Sequence, residues 1–252
     1  MNPQPQRALE PQVAIYEQAA LLKPKPGSEA RLAALTNTRG LAADKFSGLA
    51  ARLRQLQSQR PLRTVLVTSS GEGDGKSVVA ANLAVTLARD GRQKVALIEG
   101  DLRQPSFGRM FGFNGLKGLS DFVQGGGSVS NFMYRVQAMP LWIVPAGTAT
   151  GNPTEVLQSD RVSEIVAQDG GWFDWVIIDS PPLLPWSDAS QWNSLADGTL
   201  LVVREGKTSK KLLQSALETV EAAKLLGVVV NESVETGYGN YGTNGQNGSV
   251  KV

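Results

Sequence analysis

Between positions 64 and 232 the chain repeats one pattern. Six short apolar runs rich in β-branched residues, TVLVTS (64–69), KVALIEG (94–100), LWIVPAG (141–147), DWVIIDS (174–180), GTLLVVREG (198–206) and LGVVVNE (226–232), are separated by stretches of helical character. Runs this short and apolar on both faces suit parallel strands buried between helices. The alternation predicts an α/β fold: a doubly wound, mostly parallel sheet flanked by helices in a single domain, with ligands bound at the carboxyl ends of the strands. A length of 252 residues gives one such domain a well-buried core.

The flanks read differently. Residues 1–40 are expected to form a loosely held arm, rich in Pro and Gln at its start. The domain should occupy 41–235, opening with an amphipathic helix in ADKFSGLAARLRQLQ, where Phe46, Leu49, Leu53 and Leu56 recur at helical spacing. SKKLLQSALETVEAAKLL (209–226) reads as a core-facing amphipathic helix rather than a membrane-targeting anchor. The tail 236–252, TGYGNYGTNGQNGSVKV, has almost no apolar residues and is expected to be flexible.

Composition narrows the chemistry. With no cysteine and no histidine, thiolate nucleophiles, the usual zinc ligand sets and imidazole acid–base catalysis are all excluded. Carboxylates, hydroxyls, Lys, Arg and a bound metal ion remain. The formal charge of +2 has no basic stripe behind it, so no nucleic-acid partner is expected. The start has no signal-peptide core and no later run approaches a membrane span, so the expectation is a cytoplasmic chain.

Three motifs fall at strand ends. SSGEGDGKS (69–77) follows a strand and opens a helix, the context of a phosphate-binding P-loop. Gly71, Gly73 and Gly75 let backbone N–H groups converge on phosphate oxygens, Lys76 adds a mobile charge, and Ser77 can ligate Mg²⁺. Ser70 stands where the pattern has its first glycine. In VALIEGDLRQP, Glu99, Asp101 and Arg103 follow at alternate positions and so project to one side of an extended chain. Two carboxylates and an arginine beside a Mg²⁺–triphosphate can position the metal, accept a proton and neutralise the moving phosphoryl group. DWVIIDSPPLL ends its strand in Asp179, as a carboxylate acting on the metal or its water would, and Pro181 and Pro182 then stop the strand.

Together these motifs resemble the bacterial tyrosine kinases that govern capsule and exopolysaccharide synthesis, a family with a relaxed P-loop, an Asp-x-Asp-x-Arg strand end and an Asp-x-Pro-Pro strand end. The resemblance runs from about Leu41 to Ser233 and includes LWIVPAGTATGNPTEVLQSDRV and FDWVIIDSPPLLPWSDA. It implies a protein-tyrosine autokinase using ATP and Mg²⁺. The nucleotide would lie on Gly71, Gly73, Asp74, Gly75, Lys76, Ser77 and Val78, with Asn231 near the adenine. Ser77, Asp101 and Asp179 would form the metal site, and Lys76, Glu99, Asp101, Arg103 and Asp179 the catalytic set. It also implies a separate membrane-spanning polysaccharide chain-length (co-polymerase) adaptor that recruits the chain to the inner face of the plasma membrane. Glu99 departs from the family's first Asp by one methylene. The family's ring-assembly pattern, Glu-x-x-Arg-x-x-Arg, reads Asp44, Ser47 and Ala50 here.

Of the four tyrosines, Tyr16 lies in the arm and Tyr134 in a segment expected to be helical, whereas Tyr238 and Tyr241 sit in the Gly-rich tail. The tail pair are the expected phosphoacceptors, reached by self-association and transfer between molecules. Two other readings stay open. One is a partition- or division-site ATPase switch, whose signature lysine would fall at Gly71; the other is a nucleotide-binding regulator without transfer activity.

Overall fold

The computed structural model describes residues 16–27, 31–148, 151–167, 171–184 and 188–232. Eight strands form one sheet: β1 Ala20–Leu22, β2 Thr64–Ser69, β3 Val95–Glu99, β4 Tyr134–Val136, β5 Leu141–Val144, β6 Trp175–Asp179, β7 Gly198–Arg204 and β8 Leu225–Asn231. Their order is β1-β4-β5-β3-β6-β2-β7-β8. The six strands foreseen in the sequence are its parallel part, from β5 to β8. The two short strands β1 and β4 carry no periodicity signal in three residues each; β4 runs antiparallel to β5, and β1 pairs with β4 at the edge of the sheet.

The helices are α1 Ala33–Thr36, α2 Leu41–Gln57, α3 Lys76–Ala88, α4 Phe107–Phe111, α5 Leu119–Gly125, α6 Pro153–Leu157, α7 Asp160–Ala167, α8 Asp188–Leu195 and α9 Lys210–Thr219. Side chains alternate between faces along each strand, and the core divides accordingly. Val65, Val67, Leu97 and Ile177 join a cluster with Leu53 of α2 and Leu83 and Leu87 of α3. Leu66, Ile98 and Ile178 join another with Phe122 of α5, Ile165 of α7 and Trp192 of α8. Helices thus cover both faces, which is why the central strands are apolar throughout.

Several sequence expectations are corrected here. The arm does not extend to residue 40: Tyr16 is 4% exposed, and Leu32 and Ala34 are buried. Asn82, the one amide in apolar α3, holds residues 31–34 by accepting from Ala34 N–H at 2.9 Å and donating to the Arg31 carbonyl at 2.9 Å. The helix expected over 209–226 stops at Thr219, and Leu225 and Leu226 belong to β8. Tyr134 opens β4 rather than lying in a helix; the helical turn before it is a short 3₁₀ segment, Val129–Phe132. The tail 236–252, with Tyr238 and Tyr241, lies outside the described residues.

Candidate active site at the carboxyl ends of the sheet

Strand order builds the site. Because β6 lies between β3 and β2, the carboxyl ends of three neighbouring strands bring together the P-loop, the Glu99–Arg103 segment and Asp179. Glu99 and Asp179 are direct register partners across β3 and β6, and Val67 faces Asp179 across β2 and β6.

The P-loop turns on glycines in the left-handed region, Gly73 at φ 80° and Gly75 at φ 93°, and Gly75 caps α3. A side chain at Gly75 would strike the Asn231 amide, since a Cβ there would lie 2.0 Å from its Nδ2. The loop is braced from behind. Asp74 accepts from the Thr208 hydroxyl at 2.8 Å and from Gly71 N–H at 3.3 Å, and its carbonyl accepts from Asn231 Nδ2 at 2.9 Å. Asp74 and Asn231 therefore shape the loop rather than offering these groups to a ligand. The Val78 side chain packs against the core, and Ser70 is fully buried.

Lys76 Nζ lies 2.7 Å from Asp101 Oδ2. Burial pulls the Lys76 ammonium down, but the Asp179 and Asp101 carboxylates outweigh it and hold it above its ordinary value. The other Asp101 oxygen accepts from the backbone N–H of Arg103 at 3.2 Å and of Gln104 at 3.0 Å. Lys76, Asp101, Arg103 and the Pro181–Pro182 turn border a cleft of about 20 Å³. A wider hollow of about 770 Å³, between Gln57–Arg63 and Asp174, lies at the amino ends of the strands and has none of the three motifs in it.

Asp179 is the unusual member. It is fully buried and neither oxygen has a hydrogen-bond partner of ordinary geometry. Burial pushes it up to about 7, against the Lys76 charge and the nearby Ser77 hydroxyl. Glu99, by contrast, is fully engaged. Its Oε1 accepts from Ser106 N–H at 2.5 Å and Phe107 N–H at 2.6 Å, and its Oε2 from Ala146 N–H at 2.9 Å. Burial raises its pKa, and those three donors oppose the rise. The carboxylate thus clasps two loops, the turn into α4 and the segment after β5.

Two residues enter that the motif reading did not single out. Arg103 Nε donates to Asp188 Oδ2 at 2.7 Å, and its Nη2 to the Thr154 hydroxyl at 2.9 Å. Both lie within stretches resembling the family, but they sit 51 and 85 positions from Arg103. No local spacing links them.

Comparison with known proteins agrees with this geometry. A family model, "ParA: NUBPL iron-transfer P-loop NTPase", matches residues 61–236. The chain is 33% identical over 215 residues to the tyrosine-protein kinase YwqD of Bacillus subtilis, covering 83% of this chain and 90% of that one. The chain belongs to the bacterial tyrosine kinases, within the ParA-type P-loop NTPases. The tyrosine-protein kinase CpsD of Streptococcus agalactiae is 34% identical over 190 residues, 73% of this chain and 82% of that one. The solved kinase domain of VpsO superposes with a TM-score of 0.68 at 28% identity, covering 81% of this chain and 96% of that one. The bacterial tyrosine kinases thus supply the fold, the nucleotide site and, in general terms, a divalent metal. The iron of the family model's description has no cysteine or histidine to bind it here. The partition-switch alternative lacks its signature lysine, since position 71 is a glycine.

Proposed function

We propose that this chain transfers the γ-phosphoryl group of ATP to tyrosine hydroxyls, with Tyr238 and Tyr241 of a neighbouring copy as acceptors. One observation carries the reading: Asp179 ends a buried strand beside Ser77 and Lys76, and neither of its oxygens has a hydrogen-bond partner of ordinary geometry. A buried carboxylate in that state is costly unless a cation completes it. Among the described residues no three carboxylates converge as a self-sufficient cation site. A serine hydroxyl and one carboxylate beside nucleotide phosphates are instead the hard-oxygen set that Mg²⁺ takes. Ser77 and Asp179 would hold it, while Asp101, the third expected ligand, is paired with Lys76 at 2.7 Å; bound there, the metal would neutralise charge on the phosphates.

The chain's own groups do the rest. P-loop N–H groups and the start of α3 orient the phosphates, and Lys76 balances their charge. Arg103 faces the moving phosphoryl group from the far wall. Asp101, held against Lys76, accepts the tyrosine proton as the bond from phenol oxygen to phosphorus forms and the bond from phosphorus to ADP breaks. Phosphotyrosine and ADP are the products.

Support for the tail acceptors comes from the other two tyrosines. Tyr16 is buried in an aromatic cluster with Trp172 and Phe173, and burial raises the Tyr134 phenol above its ordinary value. The family resemblance supports work in capsule or exopolysaccharide synthesis with a separate membrane-spanning co-polymerase adaptor, at the cytoplasmic face of the membrane. No described helix is long and apolar enough to cross a membrane by itself. The test is to supply purified protein with ATP and Mg²⁺ and map phosphorylated residues. Phosphotyrosine should form in the parent and be absent in Lys76→Met, with folding of the variant checked by circular dichroism; transfer undiminished in Lys76→Met would refute the site.

A further inference from the structure

Arg103 is held at both ends. Its backbone N–H donates to Asp101, the residue already bound to Lys76. Its guanidinium is fixed by a closed ring of three hydrogen bonds: Nε to Asp188 Oδ2 at 2.7 Å, Nη2 to Thr154 Oγ1 at 2.9 Å, and the Thr154 hydroxyl onward to Asp188 Oδ1 at 3.0 Å. The Asp188 side chain is 2% exposed, whereas that of Arg103 keeps 27%, on the border of the cleft with Lys76. Both clamping residues stand in the first turn of a helix, Thr154 in α6, where Asn152 caps its backbone N–H at 3.1 Å, and Asp188 in α8. A planar guanidinium presents Nε and Nη2 in a fixed fork, so two such partners hold it in one orientation.

We infer that Thr154 and Asp188 are positioning residues that aim Arg103 at the phosphoryl group in transit. The inference rests on the kinase reading and deepens it. A charge fixed in advance where negative charge develops acts mainly on the transition state, so loosening it should lower the rate of transfer and leave ground-state nucleotide binding in place. Thr154 is the better handle, because Asp188→Asn disturbs a buried ion pair and can cost the fold. Thr154→Val keeps the shape and removes the hydroxyl; Thr154→Ser keeps the hydroxyl.

The experiment compares parent, Thr154→Val and Thr154→Ser as full chains with ATP and Mg²⁺. It measures single-turnover tyrosine phosphorylation, affinity for a fluorescent ATP analogue, and Tm. A hydrogen bond to a charged group sets the scale. Thr154→Val should therefore transfer about 10-fold more slowly or worse, with affinity within about 3-fold of the parent and a Tm that stays above the assay temperature, and Thr154→Ser should restore the rate. A Thr154→Val rate equal to or above the parent's would overturn the inference. So would a loss shared equally by Thr154→Ser, or an affinity that falls as far as the rate. A parent that forms no phosphotyrosine fails the kinase reading itself and takes this inference with it.

Discussion

Asp179 shows how a single buried residue can make stability depend on pH. In protein free of metal and nucleotide its pKa is raised from 3.8 to about 7, chiefly by burial. Between those two values the folded chain retains a proton that the unfolded chain has released, so stability falls as pH rises through the window and levels off above it. Asp179→Asn cannot titrate. Its stability relative to the parent should therefore climb from about pH 4 to about pH 7, by an amount on the order of a few kcal/mol, in urea melts with EDTA present. Parallel pH curves for the two proteins would show that Asp179 is not strained in this way. The main residues of the site were legible in the sequence because Lys76, Ser77, Asp101, Arg103 and Asp179 each follow a strand in a recognisable local pattern. Thr154, Asp188 and Thr208 were not, since what they do depends on partners brought near only by the sheet and its helices.

Glu99 matters at the scale of elements. Through three backbone N–H groups it ties the end of β3 to the start of α4 and to the segment after β5. Alternation along the chain correctly put its carboxylate at the strand end, but could not tell which way its two oxygens would be spent. Glutamine can still accept from one loop, yet its NH₂ would meet the N–H of the other. Aspartate is one methylene too short to span both. Glu99→Gln should accordingly lose about 1–3 kcal/mol in denaturant melts while the shape of the pH–rate profile stays as in the parent. Unchanged stability with a collapsed rate would return Glu99 to the chemistry. The same limit on local reading explains the edges of the sheet. The six parallel strands announced themselves as short apolar runs, whereas β1 and β4, three residues each, gave no period to detect. The segment from Arg31 to Ala34 is held down by Asn82, some 50 positions away.

Across the whole molecule, strand order also sets where the tail begins. β8 lies two strands from β2, and Glu232 follows it on the P-loop side of the sheet, paired with Arg204, whose guanidinium also reaches the Gly73 carbonyl at 3.4 Å. Tyr238 lies six positions beyond Glu232, a reach of about 20 Å when fully extended. Glu232 thus lies beside its own P-loop, and the proposal is that the tail tyrosines are phosphorylated by a neighbouring copy. The decisive measurement mixes two proteins with ATP and Mg²⁺: a full-length Lys76→Met chain that cannot transfer, and an active chain truncated after Glu235 that has no tail tyrosine. Mass spectrometry should find phosphate on Tyr238 or Tyr241 of the inactive partner, at a rate that rises with the concentration of the truncated enzyme. An unlabelled partner, or one still labelled when both tyrosines are replaced by phenylalanine, would contradict the account.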